Sequence, residues 1–424
     1  MQRIRTICLL CIGLLIGLGG VARAAEIAIA CSGLGEELAL CKHGVQAWEK
    51  ATGNTVKIVT TPNSATARLA LYEQLLAAGS HAIDVFQVDI VWTGILGPDM
   101  IDLGKYVPHS VIAADFPRIV EADMWHGRLV SLPWFTNAGV LYYRRDLLAK
   151  YGLTPPQTWE QLGREAAIIQ KRQREAGDSR FWGYVFQGQA YEGLTCDALE
   201  WVASYGGGTF VAPDGKITAD NPNALKAIAW AASTVGTIAP EGVLNYEEED
   251  ARGVFQSGNA AFMRNWPYAW ALAQSPGSPV RDKVGVEPLP SGTVGGPHVG
   301  ALGGGNLAVS RFSRHPAEAA SLARFMTSYA EQKYRAIHGS FNPTIPALYH
   351  DPEVLKASPF FGTLLPTFEG AVARPSAVTG RLYNRAAAAI FDSVHAALAG
   401  SLSPRAAVAQ MARELERISD NGRW

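Results

Sequence analysis

Five segments near the start of the chain alternate between two periodicities, and this alternation constrains the fold more than any other feature. "EIAIAC" (26–31) is short and apolar. "ELALCKHGVQAWEK" (37–50) spaces Leu38, Cys41, Val45 and Trp48 at helical intervals. "TVKIVTT" (55–61) alternates around Val56 and Ile58. "SATARLALYEQLLAAGS" (64–80) puts Leu69, Tyr72 and Leu76 on one helical face behind Ser64, a suitable N-cap. "DVFQVDIVW" (84–92) is a further strand. Strand and helix in turn predict an α/β fold with a mostly parallel sheet and helices on both sides. In such sheets ligands bind beyond the carboxyl ends of the strands. The polar residues there are Glu36 and Glu37, then Asn63, Ser64 and Thr66, then Asp89.

The pattern changes at "LPWFTNAGVLYYRRDLL" (132–148), where a polar, aromatic stretch leads into an apolar strand and then a helix. A proline-punctuated linker follows, with a helix starting near Thr158, and a second α/β unit begins with the strand "FWGYVFQG" (181–188). "LTCDALEWVASYGG" (194–207) and "ALKAIAWAASTVG" (224–236) read as helices, with a hairpin through Asp214 and Gly215 between them. The Gly-rich "GALGGGNLAVS" (300–310) ends in a strand and precedes a long helical stretch and a helical C-terminal part. Within 424 residues this is room for two or three domains. Two α/β lobes joined by Pro-, Gly- and aromatic-containing crossings predict a cleft that opens and closes by hinge motion.

The N-terminus carries its own message. Two arginines in "MQRIRT" precede the 12-residue apolar run 7–18 and the small-residue segment "GGVARA". A run this short is the layout of a signal peptide rather than a membrane span. Residues 1–24 are expected to be removed, leaving an exported, periplasmic chain from Ala25 with no membrane span in the mature form. Cys31, Cys41 and Cys196 remain, an odd number, and Cys31 and Cys41 flank a short loop where either a bridge or two buried thiols fits. A formal net charge of −1 gives no footprint for nucleic acid or an anionic membrane.

Reactive constellations are sparse. None of the nine histidines falls in an HxxH, HExxH or HxH arrangement, and the cysteines lack metal spacing. No G-x-S-x-G elbow occurs, and the Gly-rich run precedes a strand, whereas a phosphate loop follows one. No metal, cofactor or covalent chemistry is expected. Glu37 and Asp89 leave a glycosidase as the enzyme alternative. "EEED" (247–250) reads as a solvated helix start. More telling are the 11 tryptophans, several in polar loop contexts: Trp92, Trp134, and Trp266 in "RNWPYAW" (264–270). A pyranose offers C–H faces to aromatic rings and a rim of hydroxyls that must each find a partner. Trp and Tyr mixed with Asp, Glu, Asn and Arg meet both needs. On these grounds Trp266 and Tyr268 are the candidate platform, Trp270 is packing, and Arg264 has no assigned role.

The segments "DVFQVDIVW", "LPWFTNAGVLYYRRDLL", "FWGYVFQGQAYEGLTCD", "GNAAFMRNWPYAW", "KVGVEPLP", "LGGGNLAVS", "FNPT" and "ARP" resemble, in order and over nearly the whole mature chain, the extracellular solute-binding proteins of ABC sugar importers. The resemblance is to the trehalose/maltose-binding branch of the maltose-binding-protein-like family. It implies a two-lobe periplasmic-binding-protein fold, with lobes of about 25–134 plus 302–344 and 137–299 plus 345–424. It further implies a monomer that closes on an α-linked glucose disaccharide and delivers it to the transmembrane subunits of an ABC permease. Larger oligosaccharides, polyols or other small solutes are alternatives on the same fold. By resemblance, Glu37 (with Glu36 beside it), Ser64 (with Thr66 close), Asp89, Trp266, Tyr268 and Arg374 hold the sugar. Three positions depart from the branch. Phe135 and Asn137 stand in the crossing where close relatives have Tyr and Asp. Gly305 stands where they have a stacking Trp, which implies a missing wall and spare room there.

Overall fold

In the computed structural model, residues 24–31 and 35–424 are described, so the expected signal peptide lies, apart from Ala24, outside the described residues. The strands are β1 (Glu26–Cys31), β2 (Thr55–Thr60), β3 (Val85–Asp89), β4 (Met124–Trp125), β5 (Arg128–Leu129), β6 (Leu132–Ala138), β7 (Val140–Arg144), β8 (Trp182–Val185), β9 (Ala260–Asn265), β10 (Val284–Pro288) and β11 (Leu302–Val309). They form a five-stranded sheet in the order β2-β1-β3-β11-β6, a four-stranded sheet in the order β10-β7-β9-β8, and a small β4–β5 ribbon.

Each main sheet is mixed, which corrects the expectation of a mostly parallel one. The pairs β1–β2, β1–β3 and β8–β9 are parallel. By contrast, β11 runs antiparallel between β3 and β6, and β7 runs antiparallel between β10 and β9. The reason lies in connectivity. β6 leads straight into β7 through Gly139, so the chain passes from one sheet to the other without turning. β11 returns from the second sheet to the first and enters it reversed between β3 and β6. Two lobes, each with its own sheet, are therefore linked by strand-to-strand crossings.

Local chemistry explains the elements. β1 alternates little and is buried along five of its six residues, as a central strand covered on both faces should be. Helix Trp159–Glu175 starts where Thr158 Oγ accepts the Gln161 amide at 3.1 Å. The long helical stretch after β11 is two helices, Pro316–Met326 and Tyr329–Gly339, because the Ser328 side chain caps a new start. Trp48, Tyr72, Trp92, Trp134, Trp159, Tyr184 and Trp201 all belong to one extended hydrophobic cluster. Trp92 and Trp134, which stand in polar stretches of the sequence, are each 1% exposed and belong to the packing. Helices Tyr383–Leu398 and Pro404–Ile418 pack on one another and close the second lobe against helix Glu192–Ser204. Cys31 and Cys41 are disulfide-bonded, and Cys196 is a buried free thiol.

Candidate ligand-binding cleft

The cleft between the lobes is built from strand ends and crossings. It spans about 710 Å3 of empty space, part of it open solvent. From the first lobe come Glu37, Arg68 and Asp89, from the second Glu192, Glu248, Trp266 and Tyr268, and Phe341 and Arg374 complete the lining. Phe135, Asn137 and the backbone of Gly303, Gly304 and Gly305 form the wall where the lobes meet.

The aromatic platform is held firmly. β9 ends at Asn265 and delivers Trp266, and the Tyr142 hydroxyl donates to the Trp266 carbonyl at 2.9 Å. Pro267 lies in a turn, and the helix begins at Ala269 with Tyr268 as its N-cap. Trp266 Nε1 donates to Glu248 Oε1 at 3.3 Å, and the Tyr268 hydroxyl donates to Glu249 Oε1 at 2.7 Å. Burial, reinforced by Glu249 and Glu248, holds the Tyr268 phenol well above its ordinary pKa, so it stays a donor. Its ring lies nearly parallel to Phe341 across the cleft, 6.2 Å between centroids. Gly35, in the left-handed region at φ 52°, brings the backbone of the first lobe against the Tyr268 ring, where a Cβ would stand 2.6 Å from a ring carbon. Trp270 packs on Phe360, as expected of a core ring.

The charged groups are largely engaged with one another. Arg374 is buried and donates from Nη1 to Glu192 Oε1 and from Nη2 to Asp89 Oδ1, each at 2.7 Å. One guanidinium thus bridges the two lobes. Burial by itself lowers the Arg374 pKa, but Asp89 and the other surrounding groups outweigh it and the net direction is up. Glu192, also bonded by the Tyr383 hydroxyl, is raised by burial despite Arg374. Glu37 is buried and accepts from Gln87 Nε2 at 2.7 Å, with Arg335 at 3.7 Å. Arg335 lies flat on Trp134, 3.8 Å from the ring centre, and burial pulls it down to about 10 against the attraction of Glu37 and Glu331.

Three expected site residues do not line the cleft. Glu36 is exposed. Ser64 makes no cap hydrogen bond to its own helix, Ala65–Ala77, and instead bonds Glu247 of the opposite lobe. Thr66 Oγ accepts the Glu192 backbone N–H at 3.1 Å. Ser64 and Thr66 are therefore rim contacts between lobes. The spare room expected at Gly305 is also absent. Gly305 and Phe135 are register partners across β11 and β6, and a Cβ at 305 would stand 2.7 and 2.8 Å from two carbons of the Phe135 ring. Phe135 occupies that space and packs edge-on against Phe341 at 5.0 Å. In this chain the Phe135 ring, carried on β6, thus forms the wall beside Gly305.

Arg68, Glu192 and Glu248 were not expected at the site. Glu248 sits in the acidic run read as solvated, yet is only 8% exposed and faces Trp266. A carboxylate near helical spacing from an exposed neighbour carries no mark of which way it points. Arg68 had a visible signal, since it falls on the apolar side of its helix with Leu69 and Tyr72. Three buried polar atoms of cleft residues have no partner: Asn137 Oδ1, Arg68 Nε and Arg374 Nε. Among the described residues, no group of three or more His, Cys, Asp or Glu side chains is placed to hold a metal ion.

Two α/β lobes around a cleft of stacked rings and paired charges define a class of hinged ligand-capturing proteins. Residues 38–333 match the bacterial extracellular solute-binding proteins, and the chain belongs to that family. It is 49% identical over 402 residues to a probable ABC transporter-binding protein of Deinococcus radiodurans, covering 95% of each chain. Among solved structures it is similar to T. maritima MalE3 with maltose bound, with 38% identity, a TM-score of 0.88, and coverage of 93% of this chain and 100% of the other. A solute-binding protein of Agrobacterium radiobacter K84 in complex with ribitol has the same fold, with a TM-score of 0.81, 22% identity, and coverage of 93% and 98%. No helix among the described residues is long and apolar enough to cross a membrane.

Proposed function

We propose that this protein captures an α-linked glucose disaccharide of the maltose or trehalose type in the periplasm and hands it to the membrane subunits of an ABC importer. The carrying observation is the lining of the cleft: the rings of Trp266 and Tyr268 beside the carboxylates of Asp89 and Glu248, the guanidinium groups of Arg68 and Arg374 and the Asn137 amide. A hydroxyl buried there finds a partner, so this polar lining favours a ligand rich in hydroxyls. The stacked rings favour one that also offers C–H faces. The likeness to the maltose-bound T. maritima protein supports the same reading.

In this reading Glu37, Asp89 and Glu248 accept sugar hydroxyls, Arg68 and Arg374 donate, and Asn137 takes either part. The lobes are 25–134 with 302–344 and 137–299 with 345–424, closing about the crossings between β6 and β7 and between β10 and β11. No covalent step occurs: the protein binds and releases. Affinity of roughly micromolar, about −8 kcal/mol, suits capture followed by hand-over. A thermal-shift screen over maltose, trehalose, longer glucosides, ribitol and mannitol tests the assignment. Stabilisation by an α-glucoside is the expected result. Stabilisation by a polyol alone moves the protein to the polyol binders, and free glucose released from maltose would make it a glycosidase.

A further inference from the structure

Arg264, which sequence reading left without a role, is the centre of a fully buried ionic cluster beneath the binding platform. Its guanidinium lies under the Trp266 ring, 3.9 Å from the ring centre. It donates to both carboxylate oxygens of Glu200, from Nε at 2.8 Å and from Nη2 at 2.6 Å, and to Gln187 Oε1 at 3.0 Å. Asp197 stands 2.9 Å from Nε. Glu200 and Arg264 are each 1% exposed. A buried bidentate pair fixes orientation more sharply than a point charge does.

The other side of Glu200 faces the two places where the chain changes sheets. Its Oε1 accepts the backbone N–H of Ala301, just before β11, at 3.0 Å. The same oxygen fills the position of a side chain at Gly139, between β6 and β7: a Cβ there would stand 1.9 Å from Glu200 Oε1 and 2.8 Å from Arg264 Nη2. The crossings also touch each other, since a Cβ on Gly300 would lie 2.7 Å from the Gly139 carbonyl oxygen. One carboxylate thus meets both strand crossings, and its partner cation supports the aromatic ring that lines the cleft.

We propose that Glu200 is a positioning residue that ties the Trp266 platform to the interlobe hinge, so that a ligand pressing on the ring biases the crossings at Gly139 and Ala301 toward closure. This rests on the reading that the cleft binds a sugar by hinged closure. Asp197 touches the same cation but neither crossing, so it separates hinge coupling from simple stabilisation of the buried cluster.

The test combines three variants, Glu200→Gln, Gly139→Ala and Asp197→Asn, with small-angle scattering and maltose titration. Gly139→Ala leaves every charge in place and wedges the carboxylate off the Ala301 amide. Glu200→Gln and Gly139→Ala should each shift the radius of gyration of the sugar-free protein, because the open–closed balance changes. Each should also weaken maltose binding by about tenfold, a coupling within the usual range between linked sites. Asp197→Asn should lower the melting temperature while leaving the sugar-free scattering curve and the affinity near wild type. Unchanged sugar-free scattering in both Glu200→Gln and Gly139→Ala overturns the proposal, as does an equal shift in Asp197→Asn. Because scattering without sugar reads the hinge directly, a wild-type protein that ignores maltose would sink the proposed function and still leave this test decidable.

Discussion

Replacing Gly305 by alanine probes the way the cleft wall is made. The new Cβ would stand 2.7 Å from Phe135 Cε1 and 2.8 Å from Cζ. That is roughly 0.7–0.8 Å inside an ordinary carbon–carbon contact of about 3.5 Å. The Phe135 ring cannot yield freely, being 9% exposed and packed against Phe341 and Trp134. Overpacking of this kind costs about 1–3 kcal/mol. Phe135→Ala alone removes the ring and should cost about 3–5 kcal/mol. In the double variant the clash has no partner, so the total should fall short of the sum by about 1–3 kcal/mol, well beyond the ~0.5 kcal/mol scatter of independent sites. Guanidinium unfolding of the four proteins, with slopes compared to confirm a common mechanism, measures the cycle. Additive effects would refute the claim that Phe135 fills the space of the missing side chain at 305.

Three further outcomes follow from the geometry. Trp266→Ala should lower sugar affinity by on the order of 1–3 kcal/mol, and calorimetry paired with a melting curve decides whether the ring serves ligand or core, since unchanged affinity with a lower melting temperature marks core alone. Burial raises Asp115 to about 6 against the hydrogen bonds of Thr344 and Gln332. Its folded pKa lies above the unfolded value, so its stabilising contribution is complete below about pH 4 and lost as pH rises through about 6. After discounting for partial exposure this is about 2 kcal/mol, and Asp115→Asn should flatten the stability profile in that window. Replacing Cys31 and Cys41 by serine opens a loop with sequence separation 10 beside Glu37. The loop-entropy argument gives a loss of roughly 2–3 kcal/mol on unfolding, and an unchanged melting temperature would contradict it.

Much of the scaffold was legible in the chain. Strand 26–31 and the helices beginning at 37 and 159 are where periodicity and capping put them, because each buries a face that the sequence alone marks. Sheet direction was not legible: β11 and β7 run reversed because of where distant segments return, which no local pattern records. In the site, Trp266, Tyr268, Asp89 and Arg374 reach the cleft as expected, being anchored at strand ends and crossings. Ser64 and Thr66 were placed in the right neighbourhood but spend their hydroxyls on the opposite lobe. Trp92 and Trp134 pack the core despite their polar sequence contexts, because polar neighbours in sequence need not be neighbours in space. Glu200 was invisible for the opposite reason: it sits in an ordinary helix, and its importance comes from Gly139, Arg264 and Ala301, 61 to 101 residues away in sequence.

The central claim is that the cleft closes on an α-glucoside, and calorimetric titration of the purified protein with maltose and with trehalose tests it most directly. One site per chain and a roughly micromolar dissociation constant for at least one of the two sugars are expected. Binding should also carry a negative heat-capacity change, because C–H faces are buried against Trp266 and Tyr268. No heat and no melting shift with either sugar, while ribitol or mannitol binds, would contradict it.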